Sequence, residues 1–243
     1  LKLASGLALS GDVALPDLVV TPADNGFTAK GNLSLLQATV SPAQDQLISG
    51  SISAANLIVT TAGKDIVGKA DIAMKGIAVE TPTLAGHSDI TAPGAAFALT
   101  NGKVTADAKI KLKGLQATAN KTILISGDPA VTVHVENDPV AAIPLAYDGI
   151  LELKAVNVSG LPTVDAISDI AGHIAFSTDK AQIKDLAFSV LGVPVSIQGE
   201  VSSFSAPMLS LDVSTGTIDL SLVEKVIPDI VKAQGLKVRA VRR

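Results

Sequence analysis

Apolar and polar residues alternate with a period of two along most of the chain, the pattern of strands with one face turned to water and the other turned away from it. Between Asp107 and Lys113 the pattern is clearest: Asp107, Lys109, Lys111 and Lys113 point one way, Ala108, Ile110 and Leu112 the other. Leu151 and Leu153 alternate with Glu152 and Lys154, and Leu209, Leu211 and Val213 alternate with Ser210, Asp212 and Ser214. Weaker runs lie at 33–40, 52–60, 70–80, 95–100, 123–126, 131–136, 174–177, 183–190 and 193–198. Each run predicts a half-buried strand.

Turn residues punctuate the runs. Asp24-Asn25-Gly26, Gly63-Lys64, Asn101-Gly102, Ser126-Gly127-Asp128 and Asp148-Gly149 all supply residues that tolerate positive φ, so hairpin tips are expected there. Gly31, Gly50, Gly68, Gly86 and Gly102 recur every 16 to 19 residues and are expected to open successive strands. That interval fits a strand-turn-strand unit, whereas a β-α-β unit needs about 30 residues or more. A loose hairpin repeat follows.

Two segments depart from the alternation. Over 219–234 the apolar residues Leu222, Val223, Val226, Ile227, Ile230 and Val231 fall at three-and-four spacing, with Asp219 or Ser221 placed as a cap and Gly235 after the end. This predicts an amphipathic helix, kinked or split at Pro228. A weaker helical candidate, equally readable as a loop, covers 163–170 after Pro162.

An antiparallel sheet with one apolar face needs cover from helices, from a second sheet, or by closure on itself. A dozen strands about 4.8 Å apart extend over roughly 50 Å, whereas a helix of about 14 residues spans about 21 Å. The single helix is too short. Two solutions stand: a β-sandwich, or an elongated, curved antiparallel sheet of hairpin repeats whose apolar face holds a guest hydrocarbon. Five Phe, one Tyr and no Trp weigh against the sandwich, because sandwich cores often use large rings to fill the space between sheets, but composition alone leaves both solutions open. Burial of each guest methylene is worth about 0.8 kcal/mol. The inward sets expected to line such a groove are Ile110 and Leu112, Leu151 and Leu153, Phe188 and Val190, and Leu209 and Leu211; their alternative role is ordinary core packing.

Composition narrows the function classes. Of 243 residues, 47% are hydrophobic and 17% charged, which argues against disorder. A net charge of -4 with so few aromatic rings offers neither the basic footprint nor the stacking platform that nucleic acid requires. Without cysteine there is no disulfide framework or thiolate zinc site. No run reaches the roughly 18 apolar residues of a membrane-spanning helix. Neither a charge run nor a Ser/Gly linker divides the chain, so 1–243 reads as one continuous β-rich region, expected to be a piece of a larger protein.

Candidate chemistry is sparse. His87, His134 and His173 lack metal-ligand spacing, so no metal site is expected; His134 reads as a polar-face residue and His173 as the start of a strand. Asp107, Glu136, Glu152 and Asp212 are scattered singly and read as solvated. Gly-x-Ser-x-Gly and phosphate-binding glycine loops are absent, so catalytic residues, cofactors and enzyme activity are not expected. The row Lys109, Lys111, Lys113 reads first as protection against edge pairing and second as a contact for anionic headgroups, and Arg239, Arg242 and Arg243 read either as phosphate contacts or as the ragged end of a fragment.

The last third carries a longer pattern. Gly172-His173-Ile174-Ala175-Phe176 is followed by Ile183-Lys184-Asp185-Leu186, then by Gly199-Glu200-Val201, by Pro207-Met208-Leu209-Ser210-Leu211-Asp212-Val213, and by Ile218-Asp219-Leu220 before the helical stretch. This order resembles the AsmA-like family, which also holds the TamB and YhdP-type proteins. The match is best over 172–235, within a C-terminal motif region of 164–243; the earlier hairpins match in style only. The resemblance implies a repeating β-groove protein of the Gram-negative cell envelope, anchored in the inner membrane and crossing the periplasm. It further implies phospholipid acyl chains as partners, intermembrane lipid transport in support of outer-membrane biogenesis, and contact with either membrane and with envelope proteins. The alternative is a structural or adhesive all-β surface module without ligand. An outer-membrane barrel is disfavoured, since barrels carry aromatic girdles.

Overall fold

A computed structural model describes residues 8–41, 46–141, 145–162, 164–204 and 207–216. These residues form one curved antiparallel sheet of 14 strands and no helix. The strands are β1 (Ala8–Ala14), β2 (Val19–Ala23), β3 (Gly26–Ser41), β4 (Leu47–Ala62), β5 (Asp65–Glu80), β6 (Leu84–Thr100), β7 (Lys103–Ala119), β8 (Ile123–Gly127), β9 (Ala130–Asn137), β10 (Leu145–Ser159), β11 (Ala166–Ser177), β12 (Lys180–Val190), β13 (Val193–Ser202) and β14 (Met208–Thr215). Neighbours in sequence are neighbours in space, a meander from β1 to β14. Two columns are broken. Both β1 and β2 pair with β3, and both β8 and β9 pair with β7 and β10. The breaks fall at Pro16 and Pro129, residues that cannot donate to a ladder.

The mainly-β, elongated-sheet expectation holds, and the sandwich alternative does not. Each strand touches only the strands hydrogen-bonded to it, and among the described residues no second layer crosses either face. The sheet is also deeper than the short alternating runs suggest: β7 has 17 residues, about 55 Å at roughly 3.3 Å per residue. The long strands arise because bulges, rather than turns, interrupt the alternation. Gly31, Gly50, Gly68 and Gly86 therefore lie inside β3, β4, β5 and β6 instead of opening them, and only Gly102 sits at a tip.

Other expectations need the same correction. The turns at Asp24-Asn25-Gly26, Gly63-Lys64 and Asn101-Gly102 are hairpin tips. Asp148-Gly149, however, lies within β10, paired with β9 and β11, and Ser126-Gly127-Asp128 ends one half of a broken column rather than reversing the chain. The helical candidate over 163–170 is strand from Ala166 onward, because Ile167 and Ile170 pair into β10 and alternation wins over local spacing. The predicted helix at 219–234 lies outside the described residues.

The bulges follow two lines across the strands. The longer runs through Gly11 on β1, Gln37 on β3, Gly50 on β4, Gly76 on β5, Ser88 on β6 and Gly114 on β7. It then passes the β8–β9 break, Ala155 on β10, Asp169 on β11 and Asp185 on β12. A shorter line joins Asn32, Asn56, Asp71 and Gly94 on β3 to β6. A bulge bends its strand and adds twist, so aligned bulges crease the sheet.

Candidate functional site: an uncovered apolar face

Directly paired residues share a face, so strand register shows how far the apolar side extends. Val13, Leu35, Ile52, Met74, Ile90 and Leu112 pair in turn across β1 and β3 to β7. Two residues from Leu112 on β7, Ile110 starts a second row through Val131, Leu151, Ile174, Ile183, Gly199 and Leu211 to β14. A continuous apolar band therefore crosses the whole sheet.

All eight expected lining residues fall on this face. Ile110, Leu112, Leu151 and Leu211 lie in the two rows. Leu153 follows Leu151 by two positions, and Leu209 pairs with Val201 beside the Gly199–Leu211 pair. Phe188 and Val190 pair with Val195 and Val193, which share the unbroken alternation of β13 with Gly199. They do not form one compact cluster: Val190 lies beyond the crease, opposite Ile167, while Leu209 lies on the other side of the central row.

Side chains crowd this face without being enclosed. The buried residues Ala38, Ala70, Ser88, Ala92 and Val156 all belong to it by register, yet no large side chain is fully buried among the described residues. Val13, Leu209 and Leu211 remain 65%, 59% and 38% exposed. Rings sit against small residues: Phe97 covers Gly68, Phe176 covers Gly149, and the Tyr147 and Phe176 centroids are 6.3 Å apart. An added Cβ at either glycine would collide with the ring above it. Ring-over-glycine packing shields backbone where no second layer does.

The opposite face is polar in the same registers. Lys111 pairs with Thr91 and Ala130, and the row continues to Ser53 on one side and to Glu152 and His173 on the other. Lys75, Asp89, Lys109, Lys111, Lys113 and Asp128 border a shallow depression of about 480 Å³ on this side. The carboxylates read as solvated singles include two that are paired. Glu136 meets Lys103 at 2.6 Å, and Asp107 Oδ1 lies 2.7 Å from His134 Nδ1. The hydrogen bond to Asp107 raises the His134 pKa above its ordinary value, with Asp148 and Glu136 adding to the rise. His173 sits well inside β11 rather than at its start, and its Nδ1 lies 2.9 Å from Asp185 Oδ2. That hydrogen bond, with the His173 N–H bond, holds the Asp185 carboxyl below the ordinary range. Among the described residues no three His, Asp or Glu side chains gather as a metal-binding group.

The residues that the alternation does not reveal are those that fasten the bulges. Gly76 N–H donates to Asp89 Oδ1 at 2.8 Å, Gly114 N–H to Asp128 Oδ1 at 2.7 Å, and Gln37 N–H to Ser51 Oγ at 3.3 Å. Donor and acceptor are 13, 14 and 14 residues apart, and this near-constant spacing is the signal that finds them. Farther along, Asp169 N–H donates to Asn157 Oδ1 and His173 N–H to Asp185 Oδ1. On the shorter line Asn56 N–H donates to Asn32 Oδ1, while Asp71 accepts from Asn56 Nδ2 at 2.7 Å and from Gly94 N–H at 2.8 Å. The Asn56 and Gly94 bonds hold the Asp71 carboxyl below the usual carboxylate pKa.

The fastened creases and the bare apolar band belong to one object, a bent sheet greasy on one side and wet on the other. Comparison of the chain with protein-family models, with curated proteins and with solved structures finds no significant match.

Proposed function

We propose that the apolar face is a lipid-binding trough that shields phospholipid acyl chains, as part of a cell-envelope protein that moves lipid between membranes. One observation supports this reading above the rest: the band from Val13 to Leu211 crosses every column of the sheet, and no protein layer covers it among the described residues. Large exposed apolar patches on proteins mark partner, membrane or ligand sites. Aliphatic walls with few hydrogen-bonding groups suit acyl chains, whose binding needs area rather than directional contacts. The AsmA-like pattern over 172–235 supports the periplasmic location, the inner-membrane anchor and contact with membranes or envelope proteins. The trough carries no chemistry of its own in this reading: no catalytic residue and no cofactor take part.

Native mass spectrometry of the purified chain, followed by lipid extraction, tests the proposal. Co-purifying phospholipid, displaced by added fatty acid, is the expected result. A lipid-free protein that also fails to take up a fluorescent fatty acid would overturn it and leave the structural, ligand-free module as the better reading.

A further inference from the structure

Among the described residues no wall of protein closes the apolar face, so its breadth depends on how sharply the sheet bends, and bending is concentrated where strands bulge. We propose that the side-chain clasps along the longer crease set this bend, making Asp89 and Asp128 positioning residues that determine how bulky a hydrocarbon guest the trough accepts. The inference rests on the lipid-binding reading above. Its structural basis is the regularity of the clasps. Gln37 on β3 is tied to Ser51 on β4, Gly76 on β5 to Asp89 on β6, and Gly114 on β7 to Asp128 in the β8–β9 break. Each tie spans one hairpin and fastens a residue in the left-handed region, with φ of 52°, 58° and 63°. Without its acceptor, the bulge N–H loses its partner and the strand is free to straighten.

The three ties are not equal. A carboxylate is a stronger acceptor than a hydroxyl, and the Asp89 and Asp128 bonds are shorter than the Ser51 bond. Of these three, the ties at β5 to β8 are therefore the firmest, and they lie in the middle of the apolar band. Asp89 and Asp128 both border the polar-side depression with the lysine row, so they act on a guest only through the backbone.

The test compares Asp89→Ala/Asp128→Ala with Asp89→Asn/Asp128→Asn, which keeps an acceptor oxygen at each site. Amide exchange, small-angle scattering and binding of spin-labelled stearic acid and spin-labelled two-chain phosphatidylglycerol are measured on each. Exchange at Gly76 and Gly114 should be roughly five- to tenfold faster in the alanine variant, as expected for a lost hydrogen bond. Its maximum dimension should grow, and its two-chain to one-chain affinity ratio should shift at least about threefold, with the asparagine variant close to wild type. Unchanged exchange and scattering in the alanine variant would overturn the crease, and a changed shape with an unchanged affinity ratio would overturn guest selection. If the alanine pair fails to fold, Ser51→Ala provides the same readout at Gln37, where unchanged exchange again overturns the role of the clasps. Wild type binding neither probe overturns the lipid reading and guest selection together, while exchange and scattering still decide the crease.

Discussion

The two faces of this sheet are built from the same strands and follow opposite rules. On one, Ile110, Val131, Leu151, Ile174 and Ile183 meet side by side; on the other, Lys111, Ala130, Glu152 and His173 occupy the neighbouring register. The apolar residues crowd into a half-buried layer that no other described residue covers, whereas the polar residues spread into water and form hydrogen bonds that fix the bulges. One face provides the greasy surface, and the other maintains its shape.

The largest effect should come from breaking the apolar band at its centre. Ile110→Asp/Leu151→Asp places two charges in one row on either side of Val131, and acyl-chain binding should fall by roughly a hundredfold, since each buried aliphatic side chain is worth about 1.5–3 kcal/mol. Lys111→Ser, on the other face of the same strand, should leave binding within about twofold. Fluorescent fatty-acid titration checks both, and equal loss in the two variants would erase the distinction between faces. Next in size, Gly149→Ala drives a methyl group into the Phe176 ring and the Thr132 carbonyl, and overpacking of this kind costs about 1–3 kcal/mol, visible as a lower Tm. Gly114→Ala meets open space but must hold φ near 63°, a cost of about 1–2 kcal/mol from backbone strain alone.

The smallest effects are titrations on the polar face. Asp185 has its folded pKa below its unfolded one, so its contribution is present above about pH 3.8 and is lost as pH falls through the folded value. His134 is the reverse: its raised pKa contributes stability fully below about pH 6.5, and this is lost as pH rises through the folded value. NMR titration of both side chains should show the two shifts, and replacement of Asp107 with Asn should bring the His134 titration back toward 6.5.

Much of the apolar face is legible from alternation, because a period of two between Asp107 and Lys113 or between Leu209 and Val213 can place its residues in only one way on a paired strand. The crease is not legible by that route. At Gly114 and Ala155 a bulge shifts the parity, so the alternating runs end at Lys113 and Lys154 while the strands continue to Ala119 and Ser159. Asp148-Gly149 misleads for a related reason: the dipeptide suits a tight turn, but its pairing with β9 and β11 and the Phe176 ring above Gly149 keep it extended. Asp89 and Asp128 resemble any solvated carboxylate until the partner N–H, 13 or 14 residues away, is brought beside them.

Because each described strand touches only its immediate neighbours, the sheet is energetically close to a line of linked units. Whole hairpins can then be inserted or deleted without disturbing distant ones, since removing two strands restores both chain direction and sidedness. Loss of a single strand reverses the next junction. A change of span by one such hairpin corresponds to about 38 residues, the interval between Gly76 and Gly114.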